Sequence, residues 1–228
     1  MPKIAMIVGR GMGIPDNGEI WHMLDQRFGI PPTLIEFTTL HNRDLSAYNV
    51  IILANGSPTE PLSPQALPKL KEWVENGGTL ITTGSAYKLT NKAKITDFKT
   101  LSQGKKKEKV EGNAHIEYKP YHDTSKAKSG IEGVIFNCHL DITSPLGYGY
   151  ENPNVAIMKN GTTVMDFSQI KGNSPMQYTK QPYLSGCVSQ ENIKRIANAP
   201  ASIVSGCGKG NVIWFADDLN YRSYWFGG

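Results

Sequence analysis

The stretch Asn49-Val-Ile-Ile-Leu-Ala-Asn-Gly56 is an almost uninterrupted apolar run that ends in a turn dipeptide. A strand covered on both faces reads this way, whereas a strand with one wet face alternates, so this run predicts a central parallel strand. The chain before it has the matching rhythm. Lys3 to Val8 predicts a buried strand, and the glycines Gly9, Gly11 and Gly13 form a permissive loop before a helical pattern that begins near Asp16. Ile20, Met23, Leu24 and Phe28 share one face at helical spacing, and Gly29 and Pro31 stop that helix before a strand at Thr33 to Phe37. Downstream, Gln65 to Asn76 places Leu67, Leu70 and Trp73 or Val74 on one face, then leads through Gly77-Gly78 into Thr79 to Thr83. The order β-α-β-β-α-β predicts an open, doubly wound α/β sheet of three layers.

From Ala86 to about Pro200 that rhythm gives way to short strands and loops, a β-rich elaboration between the fourth and last main strands. Within it, Val155 to Met158 and Thr162 to Met165 flank Asn160-Gly161, a pairing that predicts a tight hairpin. The end of the chain returns to strand patterning at Ser202 to Ser205 and Asn211 to Ala216, and the second of these should rejoin the main sheet.

At 228 residues the whole chain, 1–228, fits one domain. Its longest apolar runs are too short to span a bilayer, and the amino terminus has no basic, apolar and small-residue succession of an export signal. Cys138, Cys187 and Cys207 lack metal or disulfide-framework spacing and read as core or loop residues. The formal charge of +4 conceals a local +6 between residues 88 and 128. Its densest part, including Lys105, Lys106 and Lys107, has no Arg and no interleaved aromatics, so a solvated loop is expected there and nucleic acid is not an expected partner.

Open α/β sheets gather ligands at the carboxyl ends of their strands, which here carry Gly9, Arg10, Asn55, Gly56, Gly84, Ser85, Asp217 and Asp218, with Arg222 close behind. The glycines after the first strand have the wrong spacing for a dinucleotide loop, and Pro15 interrupts the approach to the helix, so no cofactor is expected. Ser85 follows a strand, where an elbow would expose a nucleophile or where a serine would cap a helix, and the cap is the preferred reading. A serine nucleophile needs a base within hydrogen-bond reach, usually histidine, and no histidine follows His139. Asp217 and Asp218 are poor bases and should be neutralised by Arg10, Arg222 or backbone amides. His22 and Asp25 lack a third metal ligand, so metal binding is not expected either.

Gly18 to Gly29 and Trp73-Val-Glu-Asn-Gly-Gly-Thr-Leu-Ile81 resemble the class I glutamine amidotransferase-like domain appended to certain bacterial zinc carboxypeptidases. Asp141-Ile-Thr-Ser-Pro-Leu-Gly-Tyr-Gly-Tyr150, Leu184 to Asn192 and Gly208 to Gly227 are similar to three further segments of that family, with Ser144 where the family has histidine. The resemblance implies a three-layer, flavodoxin-like and amidotransferase-like fold, an amino-terminal peptidase domain of the same chain whose zinc is held by an H-x-x-E pair and a distant histidine, and a periplasmic or extracellular setting. No H-x-x-E occurs in this chain, and the elbow cysteine of true class I amidotransferases is replaced by Ser85. The resemblance therefore implies a non-catalytic accessory domain, cut from a longer protein, that packs on the peptidase or binds its substrate. Two alternatives stay open: a degenerate hydrolase using Ser85 with Glu19 as its acidic neighbour, and a small-ligand binding module.

Overall fold

Alternate residues of the central strands sort the core into two apolar layers, one on each face of the main sheet. The computed structural model describes residues 2–59, 61–101, 130–166, 168, 172–217 and 219–220. Lys105 to Lys107, Asp218 and Arg222 lie outside them. The main sheet runs in the order β2 (Thr33–Glu36), β1 (Ile4–Val8), β3 (Val50–Leu53), β4 (Thr79–Thr83), β9 (Gly210–Phe215), β8 (Ser202–Cys207). The pairings from β2 to β9 are parallel and the β8 to β9 hairpin is antiparallel. As the apolar run predicted, β3 sits mid-sheet, and the last strand returns beside β4.

Ala5, Ile7, Ile51, Leu53 and Leu80 point to one face, where they meet Leu70, Trp73 and Val74 of α2 (Ala66–Glu75) and Leu89 of α3 (Tyr87–Lys92). Met6, Ile52 and Ala54 point to the other, against Ile20 of α1 (Ile14–His22). The period of two along each strand and the 3.6-residue period of each helix thus meet in two dry interfaces. Pro15 falls in the first turn of α1, where its missing N–H interrupts no helical bond.

Two readings of the sequence are corrected. The helix was expected to carry Phe28 on the same face as Ile20, but α1 passes into a π-helical turn at Met23–Arg27 and Phe28 is 58% exposed. A π turn accommodates one more residue per hydrogen-bonded ring, so residues beyond it leave the 3.6-residue stripe. The hairpin around Asn160-Gly161 does not form either. β6 (Asn154–Lys159) pairs instead with β5 (Val134–Leu140), and β5 also pairs with β7 (Met176–Ser185), giving a three-stranded antiparallel sheet. The residues after Gly161 turn away, with Met165 making an isolated bridge to Thr100. Asn160 Oδ1 accepts from the Gly133 amide, and Gly161 N–H donates to Ile131, so the turn chemistry serves the start of β5.

This inserted sheet packs with Ile196 of α4 (Gln190–Ile196) and with Phe215 of β9. Ser189 caps α4 by accepting from Asn192 N–H. Trp214, fully buried, packs edge-on against Phe98 and ties the segment after α3 to β9.

Close backbone approach explains one glycine in particular. A Cβ on Gly210 would lie 2.1 Å from the Val74 carbonyl and 2.3 Å from that of Gly78, where β9 enters beside the end of α2. Gly210→Ala is expected to cost about 1–3 kcal/mol by overpacking against backbone that has no rotamer to yield. Gly206→Ala, which meets nothing within 4 Å, should stay within about 0.5 kcal/mol. Urea denaturation of the two variants checks the contrast.

Candidate functional site

The carboxyl ends of β1, β3 and β4 are stitched together by their own backbone. Gly13 N–H donates to Asn55 O at 2.7 Å, Ser57 N–H to Gly11 O at 2.9 Å and Thr59 N–H to Arg10 O at 3.1 Å. Gly56 has φ +132°, and a Cβ there would come within 2.6 Å of Gly13 N, so only glycine lets the two loops touch. Gly9 lies on the β2 side, facing Glu36 and Phe37, and Arg10 is exposed. Three of the candidate residues, Arg10, Asn55 and Gly56, thus act through their backbone at this edge.

Ser85 sits in a 3-10 turn, Gly84–Ala86, directly after β4. Its hydroxyl donates to Asn55 Oδ1 at 2.7 Å and accepts from Gly56 N–H at 3.2 Å, while its own N–H also donates to Asn55 Oδ1 at 3.0 Å. Because the Ser85 N–H can only donate, the amide oxygen of Asn55 is the atom facing it, and the amide nitrogen faces away. The preferred cap reading is corrected: α3 has no side-chain cap, and Ser85 instead bridges the β3 and β4 loops. An elbow is not formed, since the positive φ falls on Gly84, at +51°, and not on Ser85. Among the described residues no histidine or carboxylate is a hydrogen-bond partner of Ser85. Nor do three His, Cys, Asp or Glu side chains converge in a metal-holding group among them.

Asp217, the residue two after β9, is buried with its carboxylate fully occupied. Lys159 Nζ lies 2.8 Å from Asp217 Oδ1, and the Tyr178 hydroxyl donates to Oδ2. The expected partners were Arg10, Arg222 or backbone amides; the observed cation comes from the inserted sheet, which the sequence did not place against this edge. Lys159 is 1% exposed, and nothing in the apolar strand it ends marks it as a buried charge. Burial first, and then the Asp217 charge, push the Tyr178 hydroxyl well above its ordinary pKa. Burial, then Asp217, raise the Cys138 thiol as well, with Lys159 opposing.

Glu19, on the inner side of α1, Asn55, Gly84, Asn160 and Asp217 line one small cavity of about 160 Å³. Convergence of strand ends therefore brings together Glu19, Asn55 and Asp217, with Ser85 and Gly56 immediately behind Asn55, and leaves Gly9 and Arg10 outside the lining. Larger clefts lie elsewhere. One of about 670 Å³ is lined by Asp141, Thr143, Ser144 and Pro145 together with Thr79 and Asn211, at the amino ends of β4 and β9.

No family model and no curated protein matches this sequence. Solved structures do match its fold. PurLQS from Thermotoga maritima superposes with TM-score 0.56 at 15% identity, over 94% of this chain and 85% of that chain. A GMP synthase-like protein from Thermoplasma acidophilum gives 0.53 at 6% identity, over 95% and 83%. A β-galactosidase from Rahnella sp. R3 gives 0.51 at 14% identity over 99% of this chain, which spans only 30% of that one. At such identities the likeness defines the fold: a three-layer, class I glutamine amidotransferase-like α/β domain with a β-rich insertion. It does not reach the peptidase association.

Lys159→Met is expected to destabilise the protein by about 3–5 kcal/mol, because Asp217 would remain buried without its cation. Tyr178→Phe should cost about 1–3 kcal/mol at neutral pH. Its pH signature is distinct. The folded pKa of Tyr178 lies above the unfolded value of about 10, so the contribution is present below that pH and is lost as pH rises beyond it, where only the unfolded chain releases the proton. Urea denaturation between about pH 8 and 11 should show wild type losing stability more steeply than Tyr178→Phe above pH 10.

Proposed function

We propose that this chain is a non-catalytic accessory domain with an amidotransferase-like fold. The observation that carries the reading is the environment of Ser85: its hydroxyl is held between Asn55 Oδ1 and Gly56 N–H, with no base among the described residues to take its proton. A hydroxyl of ordinary acidity is a weak nucleophile without such a base, and an amide oxygen is far too weak a base to serve. Asp217, the other reactive group at this edge, is engaged by Lys159 and Tyr178. The fold is compatible with the degenerate-hydrolase alternative, but the described residues give Ser85 no base.

In the finer form of the reading, the chain accompanies a secreted zinc carboxypeptidase, packing on it or on its substrate, and zinc belongs to that peptidase domain. The sequence segments of the resemblance support this form. That a domain of this fold forms 30% of a β-galactosidase chain supports the more general idea of a module within a larger hydrolase. Neither nucleic acid nor a bilayer is a partner in this reading; among the described residues no helix is long and apolar enough to cross a membrane.

Purified chain is expected to show no hydrolysis of glutamine or of simple ester and amide substrates that differs between wild type and Ser85→Ala. A hydrolytic activity abolished by Ser85→Ala overturns the reading. Ser85→Ala should instead act on stability, costing about 1 kcal/mol through the lost link between the β3 and β4 loops. Peptide mapping of the native gene product addresses the finer form: peptides carrying an H-x-x-E peptidase domain in the same polypeptide are expected, and a native polypeptide with none removes that partner.

A further inference from the structure

Glu19 is a buried carboxylate with an unserved oxygen. The residue is 8% exposed, and its Oε2 is buried and, among the described residues, has no hydrogen-bond donor. Leaving such an atom unsatisfied is costly, and its retention calls for a water, an ion or a bound group that supplies the missing donor. Glu19 opens on the cavity of about 160 Å³ at the carboxyl edge of the sheet.

The other walls of that cavity have their groups committed. Asp217 holds Lys159 and Tyr178, Asn160 Oδ1 accepts from Gly133 N–H, and the Gly84 carbonyl accepts from Trp214 Nε1 at 2.9 Å. Lys159, the buried cation nearby, is paired with Asp217 and not with Glu19. The amino end of α1 also reaches the cavity, through Pro15 and Asp16. Its partial positive charge of about half a unit is smaller than one carboxylate charge. Pro15 has no N–H to offer, and Gly13 N–H is already donated to Asn55 O, so neither serves as a donor to an anion here.

We propose that this cavity binds a small primary ammonium group, with Glu19 as its ion-pair partner and the second lone pair of the Gly84 carbonyl as a further acceptor. An ammonium carries three N–H donors and one charge, which complements an enclosed carboxylate beside carbonyl oxygen. The volume admits a headgroup of a few heavy atoms, given about 30 Å³ for one water in the liquid. No group of three metal-ligating side chains surrounds it among the described residues, which favours an organic cation over a divalent metal. The inference stands apart from the non-catalytic reading and survives if that reading fails.

Methylammonium chloride is the probe, compared at equal ionic strength with sodium chloride and with tetramethylammonium chloride, which has no N–H. Methylammonium is expected to raise the Tm above both controls and to shift the backbone amide resonances of Glu19, Asn55 and Gly84. Glu19→Gln, nearly isosteric and uncharged, should weaken methylammonium binding at least tenfold while holding or raising the Tm of the free protein. Equal responses to all three salts, or undiminished binding by Glu19→Gln, overturn the site and leave a bound water as the partner of Oε2. If Glu19→Gln does not fold, the discrimination between methylammonium and tetramethylammonium by wild type decides the matter alone.

Discussion

The buried contact of Lys159 with Asp217, completed by the Tyr178 hydroxyl, is the constraint on which the rest of the molecule turns. Its three residues come from β6, from just beyond β9 and from β7, so one polar cluster pins the inserted sheet to the end of a main-sheet strand. Two charges removed from water repay their desolvation only with good geometry and satisfied lone pairs, and here both carboxylate oxygens have a donor. The Lys159 ammonium also lies 5.6 Å from the Tyr178 ring centroid, within range of a cation–π contribution. Such a cluster specifies one docking position more strictly than the surrounding apolar side chains do, since an apolar surface tolerates sliding and a buried ion pair does not.

This constraint also decides what the strand ends can do chemically. A carboxylate whose two oxygens are each held, one by an ammonium and one by a phenol, is engaged in structure and has no hydrogen bond to Ser85. Ser85 is committed in the same way, its hydroxyl serving as a cross-link between the loops after β3 and β4. The edge of the sheet where open α/β folds place ligands thus carries several structural hydrogen bonds, while among the described residues Glu19 Oε2 has no partner.

Much of the sheet could be read directly from residue patterns. The Val50 to Leu53 run, the α2 stripe and the return of Asn211 to Phe215 all follow from local periodicity, and each took its expected place. The inserted region was less readable because its pairings are not local. Val155 to Met158 has the same apolar character whether its partner follows Gly161 or lies upstream in β5, and Asn160-Gly161 is a good turn in either case. Phe28 misled for a different reason: a π turn carries no compositional mark, yet it rotates every later side chain off the stripe. In the site, glycine loops and Ser85 were visible as features of the right edge. The partner of Asp217 was not, since a lysine closing an apolar strand looks like a solvent-facing end until its tertiary neighbour is known.

The same geometry links the inserted sheet to the small cavity. Asn160 follows Lys159 directly and lines the cavity together with Asp217, so the segment that carries the cation into the core also closes one wall. Undocking the inserted sheet would therefore open the cavity and strip Asp217 of its partner in a single event. A ligand that needs the closed cavity binds only the docked form, and by mass action it stabilises that form increasingly, as the logarithm of its concentration relative to Kd. Glu19 sits on α1 and the insertion approaches from across the strand ends, so such a ligand would join two elements that the backbone connects only through the main sheet. If the cavity binds the proposed cation, its occupancy and the seating of the inserted sheet are therefore expected to favour each other, with or without catalysis.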